Sequence, residues 1–172
     1  MVDKFERNIG YVRISVTDRC NLRCNYCMPP EGVLLKHHHN ILSFEEIIAF
    51  VQAVIPLGIS KVRLTGGEPL VRSGIVELVR GIAITPGVND LAMTTNGILL
   101  SKFAAELKEA GLHRLNISLD TLNVVKFKEL TRGGNLNDVL SGIESARKAG
   151  FDRIKINSVL FEGASPTEKD NL

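Results

Sequence analysis

The stretch "LGISKVRLT", Leu57–Thr65, decides the fold, because the chain repeats its pattern. "AGLHRLNIS" (Ala110–Ser118) and "AGFDRIKIN" (Ala149–Asn157) align with it without gaps. Each has a glycine, an apolar residue, a spacer and a basic residue, then alternating apolar and polar positions. A helical pattern precedes each one. The first opens with Ser43-x-x-Glu46, a capping box, and carries Ile47, Val51 and Val54 at helical spacing, with Pro56 distorting its last turn. Another carries Phe103, Ala104 and Leu107, and a further one Val139, Leu140, Ile143 and Ala146. Gly58, Gly111 and Gly150 fit the position just past a helix end. These units read as helix, glycine stop, strand.

"YVRISV" (Tyr11–Val16) and "DLAMTT" (Asp90–Thr95) read as two more strands, and a weaker helix is expected over Gly74 to Ile84. Five strands separated by helices predict an α/β fold with a parallel sheet. Alternation sorts the strands into two faces. Val12, Ile14, Val62, Leu64, Leu91, Met93, Leu115, Ile117, Ile154 and Ile156 share one; Arg13, Ser15, Arg63, Thr65, Ala92, Thr94, Asn116, Ser118, Lys155 and Asn157 share the other. A parallel sheet covered on both faces reads as unbroken apolar runs, and a closed eight-stranded barrel fills its interior with branched apolar side chains. Unpaired charge is costly in such a core. The polar face therefore predicts a partial, open parallel (β/α) barrel with a cationic lumen suited to a large anionic ligand. The competing architecture is a doubly wound sheet whose charges are satisfied at strand ends.

The 172 residues suffice for one domain. Net charge is +2, too small to imply a nucleic-acid partner. "MVDKFERN" has no apolar run of a signal peptide, and Ile47 to Ile59 is broken by Gln52, Pro56 and Gly58, so no membrane span is expected. A cytoplasmic setting follows, in which clustered cysteines read as metal ligands or redox groups rather than disulfides.

All three cysteines, Cys20, Cys24 and Cys27, lie in "DRCNLRCNYCMP" as C-x3-C-x2-C. Iron–sulfur clusters normally take four thiolates. Three leave one iron of a [4Fe–4S] cluster open, and an open position belongs to a catalytic rather than a structural centre. Zinc would need a fourth ligand from His37, His38 or His39. The ferredoxin run has different spacing and a fourth cysteine.

"CNLRCNYC" after the first strand resembles the motif of radical S-adenosylmethionine enzymes. The resemblance implies a [4Fe–4S] cluster with one open iron that chelates S-adenosylmethionine and cleaves it to a 5′-deoxyadenosyl radical. Tyr26 and "GGEPL" (Gly66–Leu70) belong to the same pattern, with Gly67 and Glu68 implied at the methionyl amino group and Ser118 near the ribose. "YVRISVTDRCNLRCNYCMPPEGV", "LSFEEI", "KVRLTGGEPLVR", "MTTNGILL" and "LNISLDTL" together are similar to the GTP 3′,8-cyclase family of molybdenum-cofactor synthesis. That resemblance implies GTP as substrate, with Arg13, Arg63, Thr94 and Lys155 as its contacts, removal of H3′ and attack of C3′ on C8. It implies an electron donor that the sequence does not name, and leaves a homodimer open. Other readings are a different radical S-adenosylmethionine reaction, or an iron–sulfur electron-transfer module.

The family chain is about twice as long and adds a second cluster site. Residues 1–172 are therefore expected to be a radical S-adenosylmethionine core apart from that region, inactive on GTP alone. A helix is expected to start near Ser165. Among the remaining polar residues, Arg19 and Arg23 read as offsetting cluster charge, Arg72 as a solvated helix-start residue, His37–His39 as solvated, and "RGGN" (Arg132–Asn135) as a turn.

Overall fold

The computed structural model describes residues 2–159. The expected helix near Ser165 lies outside the described residues. Five strands appear: β1 (Tyr11–Ser15), β2 (Lys61–Thr65), β3 (Asp90–Thr95), β4 (Arg114–Ser118) and β5 (Ile154–Asn157). All neighbours are parallel and the spatial order is β1-β2-β3-β4-β5. This order settles the architecture. A doubly wound sheet needs a reversal of strand order to place helices on both faces. With no reversal, right-handed crossovers put every helix on one face, and the sheet is an open part of a barrel.

The crossovers are α1 (Phe44–Val54), α2 (Ile75–Ala83), α3 (Leu100–Glu109) and then α4 (Val124–Thr131) with α5 (Leu136–Lys148). Ser43 caps α1: its hydroxyl accepts from Glu46 N while the Glu46 carboxylate accepts from Ser43 N. Pro56 sits in a 3₁₀ turn over Ile55–Leu57 that ends the helix. Gly58, Gly111 and Gly150 all have positive φ at helix ends. α4 is absent from the sequence reading. Only Phe127 and Thr131 of its residues are buried, and its leading Val124 and Val125 are exposed, so it has no amphipathic stripe to read. Leu140, placed on the inward face of α5 by spacing, is exposed, whereas Val139 and Ala146 are buried.

The core lies between the helices and one sheet face. Ile14, Val62, Leu64, Leu91, Met93, Leu115 and Ile117 pack there against Ile47, Leu78, Leu107 and Val139. Each fully buried side chain of this size contributes roughly 1.5–3 kcal/mol through removal of apolar area from water. The strands thus hold their polar face open: Arg13 pairs in register with Arg63, and Asn116 with Lys155.

Candidate active site

The cysteine loop leaves β1 through buried Val16 and Thr17 and is tied to the loop after β2. Gly67 N donates to Thr17 O (2.7 Å) and Glu68 N to Arg19 O (2.8 Å). A Cβ on Gly67 would stand 2.2 Å from Arg19 O, and one on Gly66 2.5 Å from Thr17 O. The glycines of "GGEP" therefore serve the close approach of two backbone segments.

Glu68 is 1% exposed. Its Oε1 accepts from Thr95 Oγ1 (2.7 Å) and Leu70 N (3.1 Å), and its Oε2 from Asn96 N (2.7 Å). Burial pushes its carboxyl pKa up, against the lowering effect of these donors. The carboxylate thereby joins the loop after β2 to the loop after β3. From the other side α5 supports the β3 loop, because Gly142 lets the helix meet the Gly97 carbonyl; a Cβ there would lie 2.5 Å from that oxygen.

The far side of the cysteine loop rests on the C-terminal end of α4. Arg23 N donates to Thr131 O (3.2 Å) and Asn25 N to Leu130 O (2.9 Å). Arg132, with φ of 54°, donates through Nη1 to both Arg23 O and Met28 O. "RGGN" is thus a brace as well as a turn. Arg23 also does more than offset charge, since its Nη1 donates to Cys20 O (2.7 Å) and Leu22 O (3.0 Å). Arg72 is likewise not a free solvated side chain. It donates to Val16 O and Leu42 O, both at 2.6 Å, and lies over the Phe44 ring.

These ties bring Cys20, Cys24 and Cys27 to one pocket of about 320 Å³, bordered also by Tyr26, Gly67, Glu68, Thr94 and Ser118. Asp120 and Asn157 also border it. Asp120 was not singled out from the sequence. It accepts from the Tyr26 hydroxyl and from Val159 N (2.8 Å), tying the cysteine loop to the end of β4. Burial and then the Asp120 carboxylate keep the Tyr26 phenol protonated. Arg13, Arg63 and Lys155 do not border this pocket. They share the open face of the sheet, and Lys155 borders a second cavity at its other end.

All three cysteines are free thiols. Burial pushes Cys24 up to about 11, helped by Cys27, Cys20 and Asp120; burial also raises Cys20 and Cys27. Burial favours the neutral thiols, while the repulsion among three thiolates and Asp120 would be relieved by a cationic group that displaces the thiol protons. Among the described residues, no three His, Cys, Asp or Glu side chains converge tightly enough to hold one metal ion. A [4Fe–4S] cluster takes one thiolate per iron, so its ligands ring a volume instead of meeting at a point. Three thiols around a shared pocket fit that group. His37 and His39 are exposed and do not border the pocket.

A family model for the radical SAM superfamily matches residues 14–171. The chain is 55% identical over 172 residues to a GTP 3′,8-cyclase of Peptoclostridium acidaminophilum, covering all of this chain and 53% of that protein. It is 52% identical to the GTP 3′,8-cyclase of Petrotoga mobilis with the same coverage. The chain thus spans about half the length of these curated relatives. Among solved structures, methylornithine synthase (PylB) superposes with a TM-score of 0.75 at 17% identity, over 93% of this chain and 47% of that one. Streptococcus suis SuiB bound to S-adenosylmethionine gives 0.72 at 19% identity, over 94% and 35%. At those identities the likeness is one of fold.

Proposed function

The chain belongs to the radical SAM superfamily, and from that premise we propose that it is the S-adenosylmethionine-cleaving core of a GTP 3′,8-cyclase. The observation that carries the reading is the convergence of three free thiols with Gly67, Glu68 and Ser118 on one pocket, beside a cationic open sheet face. Identity above 50% to relatives named GTP 3′,8-cyclase supports the substrate.

Cys20, Cys24 and Cys27 would hold the [4Fe–4S] cluster, leaving one iron open. When bound, the cluster and S-adenosylmethionine supply an electron and a 5′-deoxyadenosyl radical that removes H3′ of GTP. The protein's own part is placement. Tyr26, Gly67, Glu68 and Ser118 border the S-adenosylmethionine position, with Glu68 keeping the two adjoining loops in register. Arg13, Arg63 and Lys155 offer charge-assisted donors to the triphosphate, and Thr94 a hydroxyl between the two ends. Clamping the ligand matters because a misplacement of about 1 Å can cost roughly a hundredfold in rate. The electron comes from a donor outside the chain, and free thiols suit a reducing cytoplasm. Among the described residues no helix is long and apolar enough to cross a membrane.

The test is anaerobic reconstitution of the chain, followed by EPR of the reduced cluster with and without S-adenosylmethionine, and assay of 5′-deoxyadenosine. A spectral change with cleavage, both abolished by Cys24→Ala, is expected. An unperturbed spectrum would support an electron carrier instead. Titration with GTP then separates this reading from another radical reaction, which would leave GTP unbound.

A further inference from the structure

Asn116 lies at the middle of β4 on the open face and is 1% exposed. Both its Oδ1 and its Nδ2 are buried without a hydrogen-bond partner. The observation does not depend on which atom is oxygen and which nitrogen, because neither is satisfied. An orphaned buried amide is costly, and native structures rarely keep one without a reason. Asn116 borders a cavity of about 370 Å³ together with Lys61, Arg114, Arg153, Lys155 and Asp90. Four cations face one carboxylate there, so the cavity favours an anion. Arg63, on the same face, also has a buried Nε without a partner.

Position decides what the amide meets. Ser118, two residues further along β4, borders the cysteine pocket, about 7 Å away at the usual strand rise. In register, Asn116 is flanked by Thr94 on β3 and Lys155 on β5. It therefore stands where the radical-generating end gives way to the cationic end. A nucleotide with phosphates on the cations and a sugar carbon within reach of the radical source has its ribose at this row. Phosphate oxygens only accept, and would leave Oδ1 unsatisfied. Adjacent hydroxyls both donate and accept. Resting on the GTP reading above, we infer that the Asn116 carboxamide grips the ribose cis-diol, Oδ1 accepting from one hydroxyl and Nδ2 donating to the other. Asn116 is then a specificity-determining residue that separates ribonucleotide from 2′-deoxyribonucleotide and orients C3′.

The experiment is calorimetric titration of the cluster-reconstituted chain with GTP and with 2′-deoxy-GTP, for wild type, Asn116→Leu and Asn116→Ala. Thermal unfolding without ligand is measured beside it. Wild type is expected to prefer GTP by about tenfold or more, since a site built to bond a hydroxyl rejects the analogue lacking it. Asn116→Leu and Asn116→Ala should lose that preference by weakening GTP alone. Asn116→Leu should unfold no lower than wild type, because it removes an orphaned polar group while keeping the volume. Equal weakening of both nucleotides, unchanged GTP affinity, or a marked fall in unfolding temperature for Asn116→Leu would each overturn the inference. The last result would point to an amide satisfied by water. Failure of wild type to bind either nucleotide would instead remove the GTP reading, and this inference with it.

Discussion

Arg132 Nη1 donates to the Arg23 carbonyl at 2.8 Å across 109 residues of sequence, and the same nitrogen reaches Met28 O at 2.7 Å. One guanidinium thus closes a bracket whose ends flank Cys24 and Cys27. Arg132 touches no thiolate in the described contacts, so its effect on a cluster is through the loop. Groups that orient ligands from outside typically contribute about 10–100-fold to metal affinity. Arg132→Ala is expected to lower iron retention under chelator challenge by about tenfold, with Arg132→Lys intermediate. Iron and sulfide content after a timed chelator incubation checks it.

Glu68→Gln is expected to destabilise the chain by about 1–3 kcal/mol even without S-adenosylmethionine. The replacement turns one acceptor oxygen into a donor that faces Thr95 Oγ1, Leu70 N or Asn96 N. Urea midpoints of the ligand-free protein test this. An unchanged midpoint would show that the carboxylate serves ligand alone.

Gly142→Ala is expected to cost about 1–3 kcal/mol, the usual range for overpacking. Its new methyl would stand 2.5 Å from Gly97 O and 3.0 Å from Leu100 Cβ, both on the far side of a helix contact. Pushing α5 away moves the loop after β3, so affinity for S-adenosylmethionine should fall along with the denaturation midpoint.

Asp90 accepts from Arg114 through both carboxylate oxygens, and this pairing holds its carboxyl below the ordinary 3.8. A carboxyl depressed in the folded state adds stability above the unfolded pKa, near 4, and loses it as pH falls through the folded value. Wild type should therefore lose about 0.5–1 kcal/mol relative to Asp90→Asn between pH 5 and pH 2. Denaturation midpoints against pH for the two proteins check the sign: the gap must narrow on acidification.

The sheet was legible because its two faces differ in polarity. Alternation at Arg13, Arg63 and Lys155 against Ile14, Leu64 and Ile156 predicted one covered face and one open one, and the register agrees. The capping box at Ser43 and the glycine stops were legible because each depends on residues a few positions apart. What escaped notice depends on residues far apart in sequence. Arg72 looked solvated until Val16 O and Leu42 O came beside it. Asp120 carries no signal in the strand pattern, and only its hydrogen bond with Tyr26, 94 residues away, marks it. The glycines of "GGEP" suggest a ligand by resemblance; the backbone of Thr17 and Arg19 beside them adds a packing reason for glycine that only the fold reveals. The strand pattern did single out Asn116, but its missing partners are visible only once its neighbours are placed.

The bracket at Arg132 also sets an order of events during synthesis. Cys20, Cys24 and Cys27 leave the ribosome more than a hundred residues before the side chain that clasps their loop. At about 5–20 residues per second, the three thiols wait roughly 5–20 s with neither α4 nor Arg132 beneath them. Iron delivered in that interval meets three thiols on an eight-residue segment that nothing yet holds in place. Loading is thus best postponed until β4 and α4 have formed, which makes the cysteine motif early in the gene and late in maturation.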